Sequence, residues 1–156
     1  MHFVFDPFGI GDPETGAIRG TIVESYLQQE FGAQFRRIKS RSVVGMAQLF
    51  AKAGPGICDY IHIDGDHRFE KVVADFVLAD MLCRKGGFIV FDDALYPAIE
   101  AVLNYVASNR ADYAIAEFPA GNVAVLQRLD GDRRNWDAFE PFDVPRRRGW
   151  TKSGND

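Results

Sequence analysis

Two stretches decide the reading: Tyr60–His67, YIHIDGDH, and Gly86–Asp93, GGFIVFDD. Each is a short apolar run that stops abruptly on carboxylates, and an amphipathic segment of helical length lies between them. Strand, helix and strand in that order form a right-handed crossover, so both strands run parallel and their ends point the same way. In open parallel sheets that carboxyl edge is where ligands sit. Asp64, Asp92 and Asp93 are therefore expected to converge in space although they are far apart in the chain.

The segments on either side extend the same pattern. His2–Phe5 (HFVF) is a predicted strand closed by Asp6-Pro7, because Pro7 holds Asp6 in extended geometry. The glycine-rich GIGDPETG that follows is a loop. Ile18, Ile22, Val23, Tyr26 and Leu27 recur at helical spacing and predict a helix that stops near Gly32. Gln34–Lys39 is a weaker strand, and Val44–Ala53 a short helix ended by Gly54-Pro55-Gly56. Phe69, Val72, Val73, Phe76, Ala79, Asp80 and Cys83 outline the crossover helix, with Gly86-Gly87 as its expected stop. Phe88–Phe91 is all apolar, as in a central strand buried on both faces. Ile99, Val102, Leu103 and Val106 mark one more helix. Tyr113–Phe118 and Val123–Leu129 flank the turn signal Pro119–Asn122 and predict an antiparallel hairpin.

The alternation implies an α/β fold: a three-layer, mainly parallel sheet with a C-terminal antiparallel hairpin. At 156 residues the chain suits one domain, read as residues 1–130, followed by a charged tail over residues 131–156 with Pro141, Pro145 and Arg146–Arg148. That tail is expected to pack loosely. Its aromatic residues Trp136, Phe139, Phe142 and Trp150 either cover a sheet edge or helix face or, if exposed, form a homodimer patch. A net charge of −4 gives no electrostatic case for nucleic acid as a partner. No apolar run approaches membrane-spanning length, and no signal pattern opens the chain. Cys58 and Cys83 sit in apolar runs, as buried reduced thiols do. Cytoplasmic placement is the expectation.

Neighbouring strands lie about 5 Å apart, so acids at their ends can share a ligand. Carboxylates that close need compensation: one holds a proton, or a cation sits among them. An all-oxygen set with at most one histidine favours Mg²⁺, with Mn²⁺ or Ca²⁺ as substitutes. A bound hydroxyl would be acidified there, and His67, three residues beyond Asp64, is placed to accept its proton. The competing explanation is helix capping, with Asp66 serving the helix after it and Asp92-Asp93 the next one.

Ile61–His67 (IHIDGDH) and Gly86–Asp93, with the helix between them, resemble the class I S-adenosylmethionine-dependent methyltransferases, in particular their metal-dependent O-methyltransferase branches. The resemblance covers Asp6 to about Leu129. It implies a Rossmann-like sheet in which these strands are the fourth and fifth and the hairpin is the sixth and seventh. It implies metal ligands at Asp64, Asp92 and Asp93, a ribose-binding acid at Asp6, and an adenine-proximal Ser42, although Arg41 stands where an acid is usual. Asp64 would also border the cofactor and, with His67, serve catalysis. The family's first strand and glycine-rich loop belong before Asp6, and the chain is read as N-terminally truncated. The sheet would then lack the strand between the family's second and fourth, a gap that closes, stays open or is filled by another chain.

The implied reaction is methyl transfer from S-adenosylmethionine to a hydroxyl of a small molecule, with a divalent metal. The alternatives are a non-catalytic truncated remnant, a Mg²⁺-binding receiver-like signalling domain, and a nucleotide-sugar transferase using Asp64-Gly65-Asp66. A receiver would carry its acidic pair on an early strand and a lysine on a late one, whereas here the pair is late.

Overall fold

The structure, a computed structural model, describes residues 2–5, 22, 24–118, 120 and 122–144. It divides into two compact units, Met1–Ala53 and Gly54–Asp156.

In the first unit, β1 (His2–Phe5) pairs in parallel with β2 (Phe35–Ile38), from His2 opposite Phe35 to Phe5 opposite Ile38. Between them lies helix α1 (24–31) and a 3₁₀ turn, Gly32–Gln34. Gly32 has a φ of 49°, which a residue without Cβ adopts freely, so the helix stops where the sequence places its end. Helix α2 (Ser42–Ala53) buries Met46 and Leu49. Gly45 lets α2 lie against Phe5, whose ring would overlap any side chain there. Among the described residues the two strands form a two-stranded sheet, β1-β2.

The second unit carries β3 (Cys58–Ile63), α3 (Phe69–Leu82), β4 (Cys83–Phe91), α4 (Pro97–Asn109), β5 (Tyr113–Phe118) and β6 (Val123–Arg128). Strand order is β3-β4-β6-β5. β3 and β4 are parallel, and the hairpin enters antiparallel through β6 beside β4. This mixed sheet gives the predicted α/β, Rossmann-like fold with its C-terminal antiparallel hairpin. Ile63, Ile89, Phe91 and Leu126 turn one sheet face toward Phe76 of α3 and Val102 of α4, and these six form the heart of the core.

Two local expectations are corrected. Gly86-Gly87 does not stop α3; the helix ends at Leu82 and the chain passes directly into β4 at Cys83. The glycines instead lie in an irregular stretch of β4, where pairing moves from Cys58–Cys83 to Tyr60–Phe88. Gly86 takes a φ of 78°, and a Cβ on Gly87 would come within 3.0 Å of the Arg84 and Asp59 carbonyl oxygens. The glycines thus serve close backbone approach within a strand rather than helix termination. Phe88 is 39% exposed, so β4 is covered on both faces only from Ile89 onward.

Arg110 is buried where α4 ends. Its guanidinium donates to Asp80 of α3 (2.8 and 3.1 Å) and to Asp112 (2.8 and 2.9 Å). The Tyr113 hydroxyl also donates to Asp80, at 2.7 Å. Beyond β6 the chain returns along α4. Asn109 exchanges two 2.8 Å hydrogen bonds with the Glu140 backbone, Asn104 donates to the Asp143 carbonyl at 3.0 Å, and Phe142 sits edge-on to Tyr105. Trp136 is exposed, while Pro145, Arg146–Arg148 and Trp150 lie outside the described residues. Among the described residues no helix is long and apolar enough to cross a membrane.

Candidate functional site

Ile63 pairs with Phe91, and the next residue on each strand is an aspartate. The Asp92 N–H donates to the Ile63 carbonyl at 3.1 Å, extending the ladder one step past the strands and fixing the two ends together. The chain then turns sharply at Asp93, whose φ of 53° is unusual for a residue with a side chain. That turn swings the Asp93 carboxylate away from the course of β4. On the β3 side, Asp64-Gly65-Asp66 carries the chain to His67 just before α3.

The result is a cluster. Asp64, His67 and Asp93 each present a ligand atom, and these atoms lie within 4.8 Å of one another. His67 Nε2 stands 3.2 Å from Asp93 Oδ2 without making a hydrogen bond, and it is buried with no hydrogen-bond partner among the described residues. Tyr96 covers the imidazole, with ring centroids 4.7 Å apart and planes inclined by 31°. The other Asp93 oxygen, Oδ1, accepts from Asn122 Nδ2 at 2.8 Å. Among the described residues no lysine or arginine pairs with Asp64, Asp92 or Asp93.

The other acids behave differently. Asp66 faces Arg68, which donates through its backbone N–H at 3.0 Å and through its guanidinium. Those hydrogen bonds hold the Asp66 carboxyl down at about 2, and the residue stands apart from the cluster. The cap residues of α3 and α4 are Arg68 and Tyr96, and neither helix has a side-chain cap. The Asp92 carboxylate accepts from the Asp93 N–H at 2.9 Å. It is not one of the three converging groups.

Of the residues singled out in the sequence, the structure therefore brings Asp64, His67 and Asp93 together and leaves Asp92 turned to its neighbour's backbone. Ser42 heads α2 in the first unit. Asp6 lies outside the described residues. Sequence reasoning overlooked Asn122, visible only as the last residue of a turn signal. Its tolerance of positive φ was the available hint, and its φ is 53°.

A sequence profile of the methyltransferase domain family matches residues 6–94, more than half of the chain. A 39-residue stretch is 49% identical to the uncharacterized protein R132 of Acanthamoeba polyphaga mimivirus, covering 25% of this chain and 18% of that one. Among solved structures, a protein from Corynebacterium glutamicum superposes with a TM-score of 0.59 at 17% identity, over 85% of this chain and 62% of its own. A methyltransferase from Geobacter sulfurreducens gives 0.53 at 17%, over 82% and 58%. The MycE methyltransferase of the mycinamycin biosynthetic pathway, solved with Mg, SAH and mycinamycin VI, gives 0.54 at 14%, over 85% and 46%. The chain thus spans less than two thirds of the length of each of these proteins. Identities this low speak to the fold alone; the profile match speaks to descent. On that match, and on a fold shared with solved methyltransferases, the chain belongs to the methyltransferase domain family.

Proposed function

We propose that the chain is the core of an S-adenosylmethionine-dependent methyltransferase that acts on a hydroxyl of a small-molecule acceptor, with a divalent cation at Asp64 and Asp93. The observation that carries this reading is the Asp64–His67–Asp93 cluster at the carboxyl edge of the sheet. Two carboxylates without a basic partner among the described residues supply the charge that a hard cation needs, and the buried ring nitrogen of His67, lacking a hydrogen bond, is left free to accept a proton beside them. Carboxylate oxygens suit Mg²⁺, with Mn²⁺ or Ca²⁺ as substitutes. Such a cation, when bound, acidifies an acceptor hydroxyl and screens the acids from each other.

The chain's own groups then have distinct tasks. Asp64 and Asp93 fix the acceptor oxygen at the strand ends, and Asp92 joins them by releasing the Asp93 N–H. His67 takes the hydroxyl proton on Nε2, leaving an imidazolium 3.2 Å from Asp93 Oδ2. Tyr96 holds the imidazole plane and forms a wall for the acceptor. Asp6 and Ser42, with Asp64, are the residues proposed to hold the methyl donor. The presence of Mg and SAH in MycE supports the pairing of cation and cofactor.

Calorimetric titration of the chain with S-adenosylmethionine, with and without Mg²⁺, tests the reading. Binding that tightens with Mg²⁺ is expected, and an absence of heat under both conditions would sink catalysis by this chain.

A further inference from the structure

Asn122 closes the β5–β6 turn, and among the described residues it makes three hydrogen bonds, to residues 93–95. Its Nδ2 donates to Asp93 Oδ1 at 2.8 Å, its Oδ1 accepts from the Leu95 N–H at 2.8 Å, and its carbonyl accepts from the Ala94 N–H at 2.9 Å. Asn122 and Asp93 are the non-glycine residues with positive φ among those described, each at 53°, and each is bonded to the other. A turn asparagine needs only its backbone conformation to shape a hairpin. This one also spends its amide donor on a carboxylate 29 residues away.

The effect is on orientation. A carboxylate turns readily about its last torsion, whose profile is broad and two-fold. With Oδ1 held by the Asn122 amide, Oδ2 is the oxygen that faces His67 Nε2 at 3.2 Å. The remaining lone pairs of the cluster therefore converge before any ligand arrives. Groups that orient a ligating carboxylate commonly govern metal affinity by roughly 10–100-fold.

We propose that Asn122 is a positioning residue: through the Asp93 carboxylate it sets the geometry in which Asp93 and Asp64 meet a divalent cation beside His67. This rests on the reading of that cluster as a cation site. It makes the hairpin turn part of the site's construction.

The test uses Mn²⁺ alone, titrated into the full chain and followed by electron paramagnetic resonance, with the melting temperature of the metal-free protein recorded in parallel. Asn122→Gly keeps the positive φ and the carbonyl contact to Ala94 but removes the amide. Asn122→Ala removes the same amide and strains the backbone as well. The proposal expects both variants to bind Mn²⁺ about tenfold more weakly, by the same factor, although Asn122→Ala melts lower. Wild-type affinity in Asn122→Gly overturns it, and so does a loss of affinity that follows the melting temperature from one variant to the other. Asp64→Asn serves as the control for the underlying reading. If Asp64→Asn binds Mn²⁺ as tightly as the wild type, or the wild type binds none, the cation site itself falls and this inference falls with it.

Discussion

Acids gather at both ends of the four-stranded sheet, and the two ends treat them in opposite ways. Where β4 begins and β6 finishes, Asp80 and Asp112 face Arg110, and Arg128 donates to the Cys83 carbonyl at 2.8 Å. Every carboxylate there has a guanidinium or phenol donor, and Arg110 is 5% exposed. Burial opposes the Arg110 charge, yet the hydrogen bonds it donates to Asp112 and Asp80 outweigh it, and its pKa is raised. Where β3 and β4 finish, Asp64 and Asp93 converge on an imidazole with no lysine or arginine paired to them among the described residues. Charge that the chain balances internally belongs to the architecture. Charge that it leaves unbalanced in a convergent cluster is where a ligand can bind with profit.

Removing Arg110 tests the closed end most severely. Arg110→Met leaves the buried Asp112 without its guanidinium and the half-buried Asp80 with the Tyr113 hydroxyl and Arg128 at 3.7 Å, and should cost about 3–5 kcal/mol of unfolding free energy in denaturant titrations. A loss under 1 kcal/mol would mean that the two acids are not held by this arginine. Gly87→Ala probes the same end through packing. Its new methyl group would meet two carbonyl oxygens at 3.0 Å and Cys83 Sγ at 2.9 Å, so a loss of about 1–3 kcal/mol is expected. At the open end, Asp64→Asn should change stability in the absence of metal by no more than about 0.5 kcal/mol, while abolishing any rise in melting temperature produced by Mg²⁺. A large intrinsic loss there would erase the contrast between the two ends.

The smallest effect concerns pH. The hydrogen bond from Arg134, reinforced by Arg110, holds the Asp132 carboxyl at about 2, below its ordinary 3.8. A depressed carboxyl favours the folded state above the unfolded value and loses that favour as pH falls toward the folded one. The decline therefore belongs between about pH 4 and pH 2. Acid unfolding of Asp132→Asn should lack that part of the slope, and an unchanged acid limb would remove Asp132 from the closed end's electrostatics.

The open end was legible in the sequence because its signal is local. An apolar strand that breaks on aspartate announces itself at Ile63-Asp64 and again at Phe91-Asp92-Asp93, and the crossover rule places both breaks on one edge. Which of the paired aspartates enters the cluster was not legible, since that depends on the positive φ of Asp93. Asn122 was hidden for a related reason: register brings β6 beside β4, and only then does a turn residue meet Asp93. The closed end gave no signal at all. Asp80 on α3 and Arg110 just past the end of α4 are 30 residues apart, and nothing local in the sequence links the two charges. Gly86-Gly87 was misread because two glycines after a helical pattern look like a stop, whereas here they let β3 and β4 approach.

The strand order has a consequence for how the protein is made. β6 follows β5 in sequence, yet it occupies the slot between β4 and β5. A chain emerging in order of synthesis must carry β4 with an open edge until residues 123–128 arrive, with Ile89 and Phe91 still lacking the Leu126 and Ala124 partners opposite them. An open apolar edge of that kind invites pairing with other chains. Completion of the sheet and arrival of Asn122 at Asp93 are then a single late event, so a nascent or C-terminally clipped chain would hold its acids without the hairpin that orients them.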